Sequence, residues 1–246
     1  MRFDATGPPV DAVLFDLDDT LYAQSQWLDG AWRAVARLGV PGIGERAFLR
    51  ALRAAAAEGS DRGGIIDCAL AALGRKDVPV APYVETFRSF RPDALTPYPG
   101  VDGCLAALAA QVPLGLVTDG DPAIQAHKLS ALGLESRFAV VIYADELGGR
   151  RWRKPSAAAF AAALEALAVR AEHAVYVGDR PDKDVAGARA AGMRAVRVLT
   201  GEYREQPSDP ESWLTVASAS EVAALLGPLL RRDLPPNPAF PGGDID

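Results

Sequence analysis

Asp16 and Asp18 stand two residues apart in the run Phe15-Asp16-Leu17-Asp18-Asp19-Thr20. Two carboxylates that close repel each other unless a cation sits between them. Hard oxygen ligands of this kind suit Mg2+, which keeps some of its waters and also takes a substrate phosphate oxygen. Asp179 could supply a further ligand, and Asp184 follows five residues later. A cation beside a carboxylate also permits covalent phosphoryl chemistry, because it offsets the charge that would hold a carboxylate away from a phosphate. A second acid such as Asp18 could then protonate the leaving oxygen and later deprotonate water. The transferring group needs positive charge and hydrogen-bond donors. Lys154, just before Pro155, and Thr118, just before Asp119-Gly120, could supply them.

Each piece alone has a plainer reading. An acid at a strand end is usually a turn former or a helix cap, and Asp119, Asp145 and Asp182 read that way first. His127 and Lys128 lie in a helical pattern, where a solvated or structural role is the expectation. Trp27, Trp32 and Tyr83 read as packing.

The elements that must position these residues alternate in type. Short apolar runs at Ala12–Phe15, Pro113–Val117, Phe138–Tyr143, Ala174–Val177 and Ala195–Leu199 each end in a polar turn. Such runs are buried strands of a parallel sheet. Helical patterns lie between them: Val101–Ala110, Pro122–Leu132 before Gly133, Ser156–Ala168 with Ser156 as cap, and Asp184–Ala191 before Gly192. Proline at the start and glycine past the end are the expected helix signals. Alternation of this kind predicts an α/β fold, a Rossmann-like doubly wound parallel sheet, with ligands at the C-terminal edge of the strands. The polar turns all fall there.

One stretch breaks the alternation. Helical patterns fill the roughly 75 residues between Tyr22 and Tyr98, near Trp27–Leu38, Arg46–Ala57, Ile65–Leu73 and Tyr83–Phe90, with glycine- and proline-rich breaks between them. The expected organisation is a catalytic core over residues 1–21 and 98–232, a small α-helical insert over 22–97, and a proline-rich C-terminal tail over 233–246.

Composition narrows the class. The chain has 246 residues, 49% apolar and 24% charged, enough to bury a core without disulfides. A formal charge of -6 gives no general attraction for nucleic acid or an anionic membrane. Cys68 and Cys104 lie in Ala/Leu-rich helical contexts and are expected as buried free thiols, and two cysteines with two histidines make no zinc site. With no signal-peptide pattern and no apolar run of membrane-spanning length, a cytoplasmic monomer or homodimer is expected, with no nucleic-acid or membrane partner.

Taken in order, the motifs are far more specific than any one of them. Phe15-Asp16-Leu17-Asp18-Asp19-Thr20-Leu21, Leu116-Val117-Thr118-Asp119-Gly120, Lys154-Pro155 and Gly178-Asp179-Arg180-Pro181-Asp182-Lys183-Asp184 resemble the four motifs of the haloacid dehalogenase-like superfamily. The resemblance implies that Asp16 is a nucleophile that becomes phosphorylated. It implies that Asp18 is the general acid/base, with its backbone carbonyl on the metal. Thr118, Asp119 and Lys154 would bind the phosphoryl group, and Asp119 is a conservative departure from the asparagine often found there. Asp16, Asp18 and Asp179 would hold Mg2+, with Asp184 in support. The helical insert would be a mobile cap; from the residues themselves, Gln24, Trp27 and the Arg62 loop, where Gly63-Gly64 gives flexibility, are expected to line its cleft.

A dehalogenase of this superfamily carries tyrosine where this chain has Asp18, so the resemblance implies a phosphatase acting on a small phosphomonoester, such as a sugar phosphate, a nucleotide or a biosynthetic intermediate. A phosphomutase or phosphotransferase on the same scaffold, and a non-catalytic binding protein, are the competing readings.

Overall fold

The computed structural model describes residues 7–231. Six parallel strands form one sheet: β1 (Ala12–Phe15), β2 (Leu114–Thr118), β3 (Val140–Tyr143), β4 (Ala174–Gly178), β5 (Arg194–Val198) and β6 (Leu214–Val216). Their order is β3-β2-β1-β4-β5-β6, the Rossmann-like arrangement in which the order reverses between β1 and β4. β1, β2 and β4 are buried along their whole length, as continuous apolar runs in a parallel sheet must be. Phe15 is in register with Leu116 of β2 and with Val177 of β4. Asp16, Thr118 and Asp179 therefore leave neighbouring strands at the same edge.

The helices that follow the strands are α5 (Val101–Ala109), α6 (Pro122–Ala131), α7 (Ala157–Leu167), α8 (Ala186–Ala190) and α9 (Val222–Leu226), numbered after the four of the insert described below. Asp121 caps α6, accepting from the backbone N–H of Ala123 at 3.0 Å and of Ile124 at 3.3 Å, with Pro122 in the first turn. Ser156 caps α7. Residues of α7 and α8, including Phe160, Ala163 and Ala188, pack with Leu14 and Tyr176 in one buried cluster. Strand alternation sends Val13 and Phe15 to the other side of the sheet.

The chain divides into two compact units, one running through Ala23 and resuming at Thr96, the other Gln24–Leu95. The second is all helix: α1 (Ser25–Arg37), α2 (Glu45–Ala56), α3 (Ile65–Ala72) and α4 (Ala81–Ser89). It has its own core, in which Trp32, Val35, Phe48, Leu52, Leu70 and Tyr83 are buried.

The structure corrects four expectations. A sixth strand, β6, joins the five expected; it carries too few residues to show a period, and only its last residue is buried. The run Phe138–Tyr143 yields a strand of four residues, all half-buried, because β3 is an edge. The helix expected over Asp184–Ala191 begins instead as a π-turn over Pro181–Val185 and becomes α-helical only at Ala186. Cys68 is exposed, because the buried stripe of α3 falls on Ile65, Ile66, Ala69 and Leu70; Cys104 is buried, and both thiols are free. The proline-rich tail lies outside the described residues. Among the described residues no helix is long and apolar enough to cross a membrane.

Phe160 is fully buried, and its ring meets Tyr176 edge-on at 4.8 Å. Truncation there removes an aromatic payload and leaves a cavity. Phe160→Ala is expected to lower unfolding free energy by about 3–5 kcal/mol in urea titrations.

Candidate active site

The site is built at the point where strand order reverses. The chain leaves β1 at Asp16, which is anchored by its N–H donating to the carbonyl of Val177 at 2.9 Å. The next turn passes through Asp19 at φ 58°, a left-handed conformation that few residue types adopt readily. That turn aims Asp16 and Asp18 into one region despite their strand-like spacing. It is held from a distance by the loop after β5. Thr200 Oγ1 donates to the Asp19 carbonyl at 2.5 Å, and the N–H of Glu202 donates to Asp19 Oδ2 at 3.1 Å. Gly201 must be glycine: its φ is +71°, and a Cβ there would lie 2.2 Å from the Asp19 side chain.

Asp16, Asp179 and Asp184 form a buried cluster, each offering a carboxylate oxygen within 4.8 Å of the others. Gly178 makes room for it, since a Cβ there would stand 2.4 Å from Asp184 Cγ. The π-turn delivers Asp184, whose Oδ2 accepts the N–H of Arg180 at 3.0 Å. Lys154 Nζ is the cation among them. It donates to Asp16 Oδ1, to Asp184 Oδ1 at 2.7 Å and to the Tyr176 hydroxyl at 3.1 Å. Asp119 accepts the Lys154 backbone N–H at 3.0 Å, so its carboxylate fixes the lysine's loop.

The charges do not balance. Burial pushes the Asp16 carboxyl up to about 7, with Lys154 pulling against it and Asp184 and Asp18 reinforcing it. Burial, followed by the charges of Asp184 and Asp16, holds Asp179 well above the usual carboxylate range. Burial disfavours the charge on Lys154, yet Asp16 and Asp184 more than restore it. Three buried carboxylates against one ammonium are a donor set of hard oxygens short of positive charge, which fits a divalent cation.

Asp18 sits in different surroundings. Tyr22 Oη donates to its Oδ1 at 2.6 Å, and Gln125 Nε2 donates to its Oδ2 at 3.0 Å. Lys128 Nζ reaches both oxygens, at 2.8 and 2.9 Å. Burial alone would raise this carboxyl, but the Lys128 charge and the donated hydrogen bonds outweigh it and keep it below the usual range. Gln125 Nε2 also donates to Thr118 Oγ1 at 2.6 Å, which leaves the threonine hydroxyl proton to donate elsewhere.

The sequence motifs thus converge: Asp16, Asp18, Thr118, Asp119, Lys154, Asp179 and Asp184 occupy one site. Gln24, Trp27 and Arg62 belong to the helical unit. There Gln24 Oε1 accepts from Ser60 at 3.4 Å, and Trp27 is buried edge-on to Phe87 and Phe90. Arg62 pairs with Glu58 and donates to Cys68 Sγ at 3.1 Å. Gln125 and Lys128 are residues the sequence reading left aside, Lys128 as a solvated or structural lysine on a helix. Both are buried. Their signal was a polar pair three apart on the helix that starts just past Thr118, sharing one helical face.

A carboxyl raised by the fold keeps its proton in the folded chain where the unfolded chain has released it. The stabilisation is complete below the unfolded value of 3.8 and is lost as pH rises through about 7. Asparagine mimics the protonated form. In chelator, the melting temperature of wild type is expected to fall relative to Asp16→Asn between pH 5 and pH 8, and the gap to close at acid pH. A pH-independent gap would refute the shift.

A model of haloacid dehalogenase-like hydrolases matches residues 10–192. The chain is 34% identical over 224 residues to a glyceraldehyde 3-phosphate phosphatase of Methanocaldococcus jannaschii, covering 88% of this chain and 97% of the relative. It is 36% identical over 205 residues to a glyceraldehyde 3-phosphate phosphatase of Methanopyrus kandleri, covering 80% and 87%. Among solved structures, a putative β-phosphoglucomutase from Thermotoga maritima superposes with a TM-score of 0.70 at 22% identity, covering 90% of this chain and all of that one, which shows a shared fold.

Proposed function

The chain belongs to the haloacid dehalogenase-like hydrolases and is a phosphatase acting on phosphomonoesters, and from that premise we propose how its residues divide the work. The observation that carries the proposal is the pairing of two acids in opposite electrostatic surroundings: Asp16 against Lys154, Asp179 and Asp184, and Asp18 against Lys128, Gln125 and Tyr22.

Asp16 is the nucleophile. One of its oxygens attacks phosphorus, the bond from phosphorus to the leaving oxygen breaks, and the phosphoryl group is carried on Asp16 as an acyl phosphate. Asp18, which its donors keep ionised in the free protein, takes a proton from solvent as the anionic substrate binds and delivers it to the leaving oxygen. It then takes a proton from water as that water attacks phosphorus, which breaks the bond to Asp16 and frees phosphate. Lys154 and the Thr118 hydroxyl hold the phosphoryl oxygens, and charge that develops on them meets donors already in place.

Asp16, Asp179 and the Asp18 backbone carbonyl would hold Mg2+, with Asp184 in support. Bound there, the ion supplies the positive charge that the three carboxylates lack and lets an anionic nucleophile approach an anionic substrate.

The helical unit, residues 24–95, takes the role of a cap domain. Gln24 and Arg62 set specificity, while Trp27 packs against Phe87 and Phe90 inside the unit. The substrate is a small phosphomonoester. Glyceraldehyde 3-phosphate is the first to test, because the similarity to the archaeal phosphatases runs along most of both chains.

The decisive assay is phosphate release, with no acceptor present, over a panel of phosphomonoesters with and without Mg2+. Wild type is expected to turn over only with the metal, and Asp16→Asn to lose at least about 1,000-fold in kcat, since no covalent intermediate can form. Activity that survives Asp16→Asn would overturn the covalent route. Loss of the leaving alcohol only when an acceptor hydroxyl is added, with the phosphoryl group found on the acceptor and not as free phosphate, would favour a phosphotransferase. For Arg62→Ala, kcat/KM on the best substrate of the panel is expected to fall about tenfold, with turnover of 4-nitrophenyl phosphate unchanged.

A further inference from the structure

Lys128 and Gln125 are unexplained by packing alone. Lys128 is 3% exposed and Gln125 2%, three residues apart on α6. The same helix buries Ile124 and Leu129, so its apolar stripe exists without them. A buried ion pair is a poor source of stability compared with apolar side chains of the same volume. An ammonium in such a position calls for another reason.

The geometry supplies one. The two oxygens of Asp18 receive four contacts: Tyr22 and Lys128 on Oδ1, Gln125 and Lys128 on Oδ2, all between 2.6 and 3.0 Å. A carboxylate gripped on both oxygens has one orientation. Gln125 adds a second constraint, because its single amide nitrogen donates both to Asp18 and to Thr118 Oγ1. One side chain therefore sets the spacing between the acid and a hydroxyl at the strand end. The two buried lysines also separate the acids. Lys154 lies against Asp16 and Asp184, and Lys128 lies against Asp18. With its own cation, Asp18 is not drawn into the Asp16 cluster.

Resting on the reading of Asp18 as acid and base, we propose that Lys128 and Gln125 are positioning residues: they hold the Asp18 carboxylate in the orientation that proton transfer requires and fix its distance to Thr118. They touch neither substrate nor metal. They act through Asp18, so their loss should matter only while Asp18 is present.

A double-mutant cycle reads this directly. The four proteins are wild type, Lys128→Met, Asp18→Asn and the double variant, assayed for phosphate release from 4-nitrophenyl phosphate with Mg2+. Turnover of this probe includes hydrolysis of the phospho-enzyme, where Asp18 takes a proton from water whatever the leaving group was. Lys128→Met is expected to lower kcat about 10- to 100-fold with KM within about threefold, the size of loss that follows a misplaced catalytic group. In the Asp18→Asn background the same substitution should change kcat less than about twofold.

Losses that multiply in the double variant would show that Lys128 acts independently of Asp18 and would overturn the proposal, as would a single variant at the wild-type rate. If Asp18→Asn alone keeps the wild-type rate, the assignment of Asp18 fails first. Gln125→Leu provides a second cycle, decisive where Lys128→Met does not fold, because it removes hydrogen bonds without stranding a buried charge. It is expected to lower kcat about tenfold and to show the same dependence on Asp18. Independence from Asp18 would overturn it.

Discussion

Three carboxylates and one ammonium are buried together at the end of β1, and the surplus of negative charge is the constraint to which the rest of the site answers. Asp16, Asp179 and Asp184 lie close together there, and burial, reinforced by the charges of Asp184 and Asp18, pushes the Asp16 carboxyl up to about 7. The cluster is stable as a protein interior only with protons or with an added cation. A divalent cation would meet the same deficit that protons meet. The deficit also explains the concern with exact placement nearby. Lys154 is held by side-chain partners at its ammonium and by Asp119 at its backbone, because an ammonium that drifted would leave three charges uncompensated.

The sheet meets this constraint by topology. Its order brings the ends of β1, β2 and β4 side by side, so acids far apart in sequence share one edge. The core behind the site belongs to the same arrangement. Phe160 supports the Tyr176 ring, and the Tyr176 hydroxyl lies 3.1 Å from Lys154 Nζ and donates to the Val117 carbonyl at 3.1 Å. Packing of α7 on the sheet is thereby connected to the position of a charge at the site. Asp18 is handled apart from this group, by residues of α6 and by Tyr22.

Much of this was legible in the sequence, for a physical reason. Strands buried on both faces must be apolar throughout, so their ends are marked by the first polar residue, and those residues were Asp16, Thr118 and Asp179. Other parts were hidden. Lys128 reads like any lysine on a helix, because burial of a side chain depends on which way the helix is turned, and α6 shows only a weak apolar stripe. The π-turn at Pro181–Val185 differs from an α-turn by one residue of register, which no periodicity over five residues reveals. β6 has one buried residue, and Cys68 lies just off the apolar stripe of α3. The loop after β5 gave no sign that it would reach back to Asp19, since a hydrogen bond to a backbone carbonyl leaves no mark on composition.

The placement of β1 also bears on how the chain comes together. β1 is the first strand in sequence, yet it sits inside the sheet, where Val13 pairs with Leu114 and Ala12 with Ala174. At ribosomal speeds of roughly 5–20 residues per second, its second neighbour emerges on the order of ten seconds after it. Contacts between residues so distant in sequence form late, while helices that pack on near neighbours form early. The helical unit lies wholly within that interval and has its own core, so it can be finished first. Throughout this time Asp16 and Asp18 remain in water, where their charges cost little. Asp16 can join Asp179 only once the strand before Asp179 is available, and Lys128 and Lys154 precede that strand in the chain. The order of the chain thus delivers the cations before it closes the acids in.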